Sequence, residues 1–310
     1  MDLSSTNAKS LSGSNRRLLA AIRCDLTSYC CDLSHHVLLG ADFCISFSGL
    51  EQLLTASQRR DYTATRLAGC FGPDMAEYAM LHILALEREY DAQRDAQQQR
   101  VWHETRAANS PGSHYRRLPT LTLGVLGLGD IGSDIARVAA LGHRMNVIGC
   151  RRDPSPRDTD RAAGVSRVYG LEELPSFLSA ADFVVSVLPS TPQTRGMLDG
   201  GVLAATVAQG KERKPPAMIN VGRGDLLSES TILDALDQGW LSHFVGDVFK
   251  PEPLVETSPL WTHPKVTVTA HNSAVTQPQD VVAAFTDNLE RYEAGGAKEL
   301  RNVFDWDSGY

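Results

Sequence analysis

The pattern that most constrains the fold is an alternation, from residue 121 onward, of short apolar runs with longer amphipathic stretches. The apolar runs are LTLGVLGL (121–128), MNVIGC (145–150), DFVVSVLP (182–189), AMINVG (217–222), FVGDVF (244–249) and KVTVTAH (265–271). Each run is apolar nearly throughout, which is typical of strands covered on both faces. Strand, helix and strand in repetition predict right-handed βαβ units. We therefore expect an α/β fold with one doubly wound parallel sheet of the Rossmann type.

Helical segments lie between and around these runs. SESTILDALDQG predicts a helix with Ser228 as its N-cap and an end at Gly239. Residues 72–103 predict one long helix, apolar on one face in its first half and polar on all sides in its second half. Residues 276–296 predict a helix capped by Thr276 and stopped by a glycine pair.

The first 71 residues have weaker periodicity, with two candidate strands in HHVLLG and DFCISFSG. These residues predict part of a second, smaller α/β domain. The expected division is therefore 72–275 for a dinucleotide-binding domain and 1–71 plus 276–310 for a discontinuous substrate domain.

Composition narrows the class of protein. The chain has 310 residues, 42 % of them apolar and 22 % charged, with a net charge of −7. This balance is typical of a globular protein and argues against a nucleic-acid partner, which requires clustered cations. The sequence contains no run of eighteen apolar residues, so no membrane-spanning segment is predicted. Six cysteines without C-x-x-C spacing favour a reduced, cytoplasmic protein.

Two weaker signals leave alternatives open. The Ser-rich first 23 residues, with Lys9, Arg16 and Arg17, leave an organellar targeting segment as the alternative to a surface helix. The pair His35–His36 has no suitably spaced partner ligand, so no metal site is expected.

GLGDIG places Gly127, Gly129 and Gly132 between a predicted strand and a predicted helix. The first glycine permits a tight turn, the second allows close approach of a pyrophosphate, and the third allows close packing of helix on strand. The helix N-terminus attracts the anion. We therefore expect a dinucleotide to bind here, with Asp130 and Ile131 also in contact.

The residues after the second strand of the sheet bear on which dinucleotide binds. An acid at this position usually takes the adenosine ribose diol, whereas this chain has Arg151 and Arg152. Guanidinium groups match a 2′-phosphate, so NADP(H) is preferred. Asp153, slightly further on, keeps NAD(H) open. Pro189, Thr194 and Val221 follow other predicted strands, and we expect them to contact the cofactor as well.

Three ionisable residues follow successive strands near the C-terminal end of the sheet. Arg223 lies in NVGRGDLL, Glu252 in DVFKPEP and His271 at the end of VTVTAH. The arginine is suited to binding a substrate carboxylate, and the histidine to donating a proton near neutral pH. A neighbouring carboxylate would orient the imidazole and favour its charged form. We predict that these three residues perform the chemistry.

Several motifs in register then carry a resemblance. GVLGLGDIG, VLPSTPQTRGML, MINVGRGDLL, GDVFKPEPL and SPLWTHPKVTVTAHNSA make the chain similar to the D-isomer-specific 2-hydroxyacid dehydrogenase family. The resemblance implies that the catalytic arginine, glutamate and histidine are Arg223, Glu252 and His271. It also implies that Asp247 holds the nicotinamide carboxamide.

Within this family, the chain looks most like the branch of NADPH-preferring glyoxylate/hydroxypyruvate reductases. The resemblance implies an oxidoreductase that reduces small 2-keto acids to D-2-hydroxy acids, with the substrate contacted by Arg223 and His271. It also implies a homodimer that assembles through the long helix.

The chain departs from the family pattern in two places. Ala270 precedes the histidine where family members commonly have proline. The family's substrate-binding glycine loop corresponds only loosely to SFSGLEQLL, which implies substrate contacts at Phe47, Ser48 and Gly49. Because this loop lies close to the start of the chain, we expect a shortened substrate domain. The alternative function is a dinucleotide-sensing regulatory protein with little catalysis.

Overall fold

The computed structural model describes residues 36–39, 43–46, 63–102, 115–207 and 214–305. The chain divides into two compact units, one formed by Met1–Ala68 with Thr276–Tyr310 and the other by Gly69–Val275. The larger unit thus begins at Gly69 rather than at residue 72. In the described part of the chain, no helix is long and apolar enough to cross a membrane.

The described strands are β1 (His36–Leu39), β2 (Phe43–Ser46), β3 (Thr63–Arg66), β4 (Thr122–Leu126), β5 (Asn146–Cys150), β6 (Val165–Tyr169), β7 (Phe183–Ser186), β8 (Ala217–Asn220), β9 (His243–Gly246) and β10 (Val266–Val268). The described α-helices are α1 (Gly72–Glu87), α2 (Tyr90–Gln98), α3 (Asp130–Arg137), α4 (Asp158–Ala162), α5 (Leu174–Ala180), α6 (Glu229–Asp237) and α7 (Pro278–Gly295).

The larger unit is built on a seven-stranded sheet in the order β10-β9-β8-β7-β4-β5-β6. All neighbouring strands in it are parallel. From β4 the chain adds β5 and β6 on one side of the sheet, and it then returns to add β7, β8, β9 and β10 on the other side of β4. The order in which strands are added thus reverses between β4 and β7. The predicted doubly wound α/β fold is confirmed, and the reversal marks the place where such sheets bind ligands.

Helices cover both faces of this sheet because its strands are apolar on both sides. On one face, Leu123, Val125 and Ile219 pack in a core with buried residues of α1 and α3. On the other face, Val184 and Met218 pack with buried residues of α5 and α6. The layers are helix, sheet and helix.

One strand of the sheet was not predicted from the sequence. β6 reads VSRVY and lies at the edge of the sheet, where its middle residues Ser166 and Arg167 are exposed. An edge strand does not need two apolar faces, so a search for continuous apolar runs passes over it.

Two predicted helices differ from the structure. The predicted long helix is two helices, because Glu89 adopts a left-handed backbone with φ of 51° between α1 and α2. The predicted cap at Thr276 is wrong, since α7 begins at Pro278 after Gln277. The predicted stop at the glycine pair is confirmed, and Ser228 caps α6 by accepting a hydrogen bond from the Thr231 N–H.

The smaller unit contains a three-stranded sheet in the order β1-β2-β3. β1 and β2 are antiparallel and correspond to the two predicted strands, whereas β3 is parallel to β2 and was not predicted. The C-terminal segment of the chain joins this unit through β3, where the Arg66 N–H donates to the Asn302 carbonyl at 2.8 Å.

Candidate active site

The order of the strands brings the predicted chemical groups to the carboxyl-terminal ends of neighbouring strands. β8, β9 and β10 are neighbours, and all three run in the same direction. Arg223 follows β8, Asp247 and Glu252 follow β9, and His271 follows β10. Since the carboxyl ends of parallel strands lie on the same side of the sheet, residues far apart in sequence meet there.

Asp247 organises the loop that carries His271. The residue is 1 % exposed, and its carboxylate accepts hydrogen bonds from the Thr269 hydroxyl at 2.6 Å and from the N–H groups of Asn272 and Ser273, both at 2.9 Å. Its carbonyl oxygen accepts the His271 N–H at 2.9 Å. Residues 269–273 therefore wrap around this one buried side chain.

His271 and Glu252 form a pair. The Nδ1 atom of His271 lies 3.0 Å from Oε2 of Glu252. The other carboxylate oxygen of Glu252 accepts the Phe249 N–H at 2.8 Å, which fixes the acid in the loop after β9. In the described part of the chain, Nε2 of His271 has no hydrogen-bond partner, and 48 % of the side chain is exposed. The arrangement orients the ring and keeps one nitrogen available.

The two partners shift each other's pKa in opposite directions. The pKa of His271 is raised, chiefly by its hydrogen bond to Glu252, although burial and the charge of Arg223 act against this. Burial would raise the pKa of Glu252, but the hydrogen bonds from His271 and the Phe249 N–H hold it below its ordinary value. Glu252 is therefore an ionised acceptor, and Nδ1 of His271 carries the hydrogen of the bond.

Arg223 lies within electrostatic reach of this pair, since its charge lowers the pKa values of both His271 and Glu252. Its Nη1 donates to the Gly222 carbonyl at 2.8 Å. Asn220 supports the turn by donating to the Arg223 carbonyl at 3.0 Å. The structure thus brings together the guanidinium, carboxylate and imidazole that the sequence predicted to meet.

The glycine loop has the geometry that a dinucleotide requires. Gly127 has a φ of +107°, a backbone conformation that favours glycine. A Cβ atom at Gly132 would lie 1.9 Å from the Gly127 carbonyl oxygen, so helix α3 can approach the loop only with glycine there. Gly129 is the N-cap of α3, whose first N–H groups lack partners in the helix. The predicted set of Gly127, Gly129, Asp130, Ile131 and Gly132 fits a pyrophosphate.

Arg151 requires a correction. Its side chain is buried, and its Nη1 and Nη2 bind both oxygens of Asp160 at 2.5 and 2.8 Å. Nη2 also donates to the Ser155 carbonyl and Nε to the Asp153 carbonyl, at 2.5 and 2.7 Å. These bonds use four of the N–H groups of the guanidinium. Arg151 therefore holds its own loop together rather than offering itself to a 2′-phosphate. Arg152 is exposed.

The remaining predicted residues lie in loops around the sheet, and their contacts with a cofactor stay predictions. The Thr194 hydroxyl donates to the Pro189 carbonyl at 2.6 Å and so shapes the loop after β7. Val221 is 3 % exposed directly after β8. The predicted substrate contacts Phe47, Ser48 and Gly49 lie outside the described residues.

Two residues at this site were not identified from the sequence. Thr269 was read only as part of a strand, although a hydroxyl two residues before His271, the predicted proton donor, is a weak signal of a loop contact. Tyr78 was assigned to the apolar face of a helix, yet its hydroxyl lies 2.6 Å from Oγ1 of Thr269. No local pattern reveals a contact across 191 residues of chain.

Comparison with known proteins agrees with this geometry. Residues 80–273 match the family model described as "D-isomer specific 2-hydroxyacid dehydrogenase, NAD binding domain". A glyoxylate/hydroxypyruvate reductase A from Serratia proteamaculans is 33 % identical over 258 residues, which cover 80 % of this chain and 75 % of that protein.

Solved structures give the same result. A D-isomer specific 2-hydroxyacid dehydrogenase family protein from Aeromonas salmonicida is 37 % identical, covering 85 % of this chain and 78 % of the other, with a TM-score of 0.71. An NADPH-dependent glyoxylate/hydroxypyruvate reductase from Sinorhizobium meliloti, in complex with NADP and sulfate, is 26 % identical, covering 95 % of both chains, with a TM-score of 0.75. The chain belongs to the D-isomer specific 2-hydroxyacid dehydrogenase family.

Proposed function

We propose that this protein is an NADPH-dependent reductase of small 2-keto acids such as glyoxylate and hydroxypyruvate. The observation that carries the proposal is the 3.0 Å contact between His271 and Glu252, at the edge of the sheet where Arg223 is also placed. Similar proteins that are named glyoxylate/hydroxypyruvate reductases support the substrate class.

The residues of the site divide the work of the reaction. Bound NADPH supplies the hydride for reduction of the keto carbon. Arg223 binds the substrate carboxylate, because a permanently charged guanidinium matches that group. Protonated His271 gives the Nε2 proton to the keto oxygen as that oxygen gains charge. Glu252 accepts the Nδ1–H bond, which orients the ring and raises the His271 pKa, so that the charged proton donor persists to higher pH than in a free histidine.

We propose Arg152 as the cation that favours NADP(H) over NAD(H). It is the exposed arginine directly after Arg151, whose guanidinium is held by Asp160. The NADP complex of the Sinorhizobium meliloti relative supports this cofactor.

The smaller unit is proposed as the substrate domain and the protein as a homodimer. The first proposal rests on family resemblance. The proposed homodimer is supported by exposed apolar side chains on α1 and just after α2. Leu81 on α1 is 61 % exposed and Trp102 is 92 % exposed. The mass of the full chain in solution, measured by light scattering, tests the dimer.

Steady-state kinetics test the reaction. We expect the purified protein to oxidise NADPH when glyoxylate or hydroxypyruvate is added. Substituting His271→Ala should lower kcat by about a hundredfold or more, as is usual when a general acid is removed, while NADPH binding measured by calorimetry is retained. The matched control His263→Ala changes a turn histidine and should leave kcat near that of the wild type. NADPH binding without turnover on any 2-keto acid would refute the proposal and favour the dinucleotide-sensing alternative.

A further inference from the structure

The hydroxyl of Tyr78 on helix α1 reaches the loop that carries His271. It lies 2.6 Å from Oγ1 of Thr269, and Oγ1 of Thr269 in turn lies 2.6 Å from the carboxylate of Asp247. We infer that Tyr78 is a positioning residue for His271, acting through Thr269 and Asp247. The inference rests on the proposed function, in which His271 supplies the proton.

The donors and acceptors of this chain of hydrogen bonds are fixed by elimination. Burial acts to raise the pKa of Asp247, but hydrogen bonds from residues 269–273 hold it below its ordinary value, so the carboxylate is ionised and only accepts. Thr269 has one hydroxyl hydrogen and donates it to Asp247. Tyr78 must therefore be the donor to Thr269. Burial raises the pKa of Tyr78 to about 12, which keeps the phenol protonated at neutral pH.

The chain of bonds ends on the group that shapes the His271 loop. Asp247 also accepts the N–H groups of Asn272 and Ser273, and its carbonyl accepts the His271 N–H. His271 has a φ of +51°, a left-handed backbone that non-glycine residues adopt only where the surroundings hold it. The bonds to Asp247 supply that support, and Tyr78 fixes the hydroxyl that completes them.

Removing the phenol hydroxyl should loosen the loop without altering the reacting groups. Without Tyr78 as donor, the Thr269 hydroxyl loses one of its two partners and is free to turn away from Asp247. His271 would then spend less time in its productive orientation. Because the change acts on the proton donor and leaves Arg223 in place, we expect kcat to fall and KM to change little. A neutral hydrogen bond corresponds to a fall in kcat of about threefold to tenfold.

The test is a double-mutant cycle on the full-length protein. Tyr78→Phe and Thr269→Val should each lower kcat, and the double variant should be no slower than Thr269→Val alone, since Tyr78 acts through that hydroxyl. Thr269→Ser keeps the hydroxyl and should restore kcat to near the wild-type value. The matched control Tyr90→Phe removes the hydroxyl of an exposed tyrosine on the neighbouring helix and should leave kcat unchanged. Additive losses in the double variant would overturn the inference.

Hydrogen–deuterium exchange separates this inference from the proposed function. In Tyr78→Phe, the peptide that covers residues 269–273 should exchange faster than in the wild type, while peptides from β4 and β5 are unchanged. This readout does not depend on turnover. An inactive wild-type protein would refute the proposed reaction but leave the exchange result valid, whereas unchanged exchange in Tyr78→Phe would refute the role of Tyr78.

Discussion

Substitutions of the neighbouring residues Arg151 and Arg152 should affect different properties of the protein, its stability and its cofactor binding. Arg151 and Asp160 form an ion pair whose side chains are 8 % and 7 % exposed, whereas Arg152 is exposed. We expect Arg151→Leu to destabilise the protein and Arg152→Leu to weaken NADPH binding selectively.

The magnitude follows from what each change leaves behind. Arg151→Leu leaves the Asp160 carboxylate in a buried position without its partner, which typically costs about 3–5 kcal/mol. Asp160 keeps one hydrogen bond, from the Arg157 N–H at 2.9 Å, so we expect the lower end, about 3 kcal/mol. This corresponds to roughly a hundredfold change in the unfolding equilibrium constant. Arg152→Leu changes an exposed side chain and should cost less than about 0.5 kcal/mol.

The effect should depend on pH with a definite sign. The hydrogen bond from Arg151 is the main cause that lowers the Asp160 pKa below its ordinary value of 3.8. The stabilisation from this pair is therefore present above pH 3.8 and is lost as the pH falls through the lower, folded-state pKa. The difference in stability between wild type and Arg151→Leu should shrink as the pH is lowered from 7 into that range, because unfolding then no longer separates an ionised pair.

Urea denaturation followed by circular dichroism measures the stability difference, and calorimetric titration with NADPH and NADH measures the preference. Arg152→Leu should lower NADPH affinity by about tenfold or more, since bonds to a charged group are strong, and should leave NADH affinity unchanged. The double variant of Arg151→Leu with Asp160→Leu should be more stable than Arg151→Leu alone, because no charge is left buried. Full stability of Arg151→Leu, with loss of the NADPH preference, would refute the reasoning and return the phosphate to Arg151.

Two further predictions concern the proton donor and the glycine loop. Glu252→Gln removes the main cause of the raised His271 pKa, so the alkaline limb of the pH profile of kcat/KM for reduction should move to lower pH; an unmoved limb would mean that another group titrates there. Gly132→Ala places a Cβ 1.9 Å from the Gly127 carbonyl and should cost about 1–3 kcal/mol of stability as well as NADPH affinity. Gly142→Ala is the matched control, since nothing lies within 4 Å of its added Cβ; equal effects of the two substitutions on NADPH affinity would contradict this account of the loop.

The fold was predictable wherever local sequence carries the physical cause of the structure. A strand covered on both faces must be apolar along its whole length, so the apolar runs predicted the five inner strands of the large sheet, β4, β5, β7, β8 and β9. A sixth apolar run predicted β10, which lies at one edge and is half-buried. β6 was missed because it lies at the sheet edge, where Ser166 and Arg167 face solvent. The break between α1 and α2 was missed because Glu89 takes a left-handed backbone that no glycine or proline announces.

The site divides along the same line. Arg223, Glu252 and His271 could be predicted because each ionisable residue follows an apolar strand, and because parallel strands end at one edge. The role of Arg151 could not be predicted, since an arginine after a strand fits a phosphate and a buried carboxylate equally well. Only the fold shows that Asp160 has taken that guanidinium.

The sequence by itself determined the order of the apolar strands, the glycine loop and the identity of the three ionisable groups that follow those strands, because these depend on periodicity and on neighbours in the chain. The tertiary structure alone decided which side chains are already occupied and which support the site from a distance. Tyr78 and Thr269 meet across 191 residues. A hydrogen bond of that kind is set by packing in three dimensions, and no local pattern of residues encodes it.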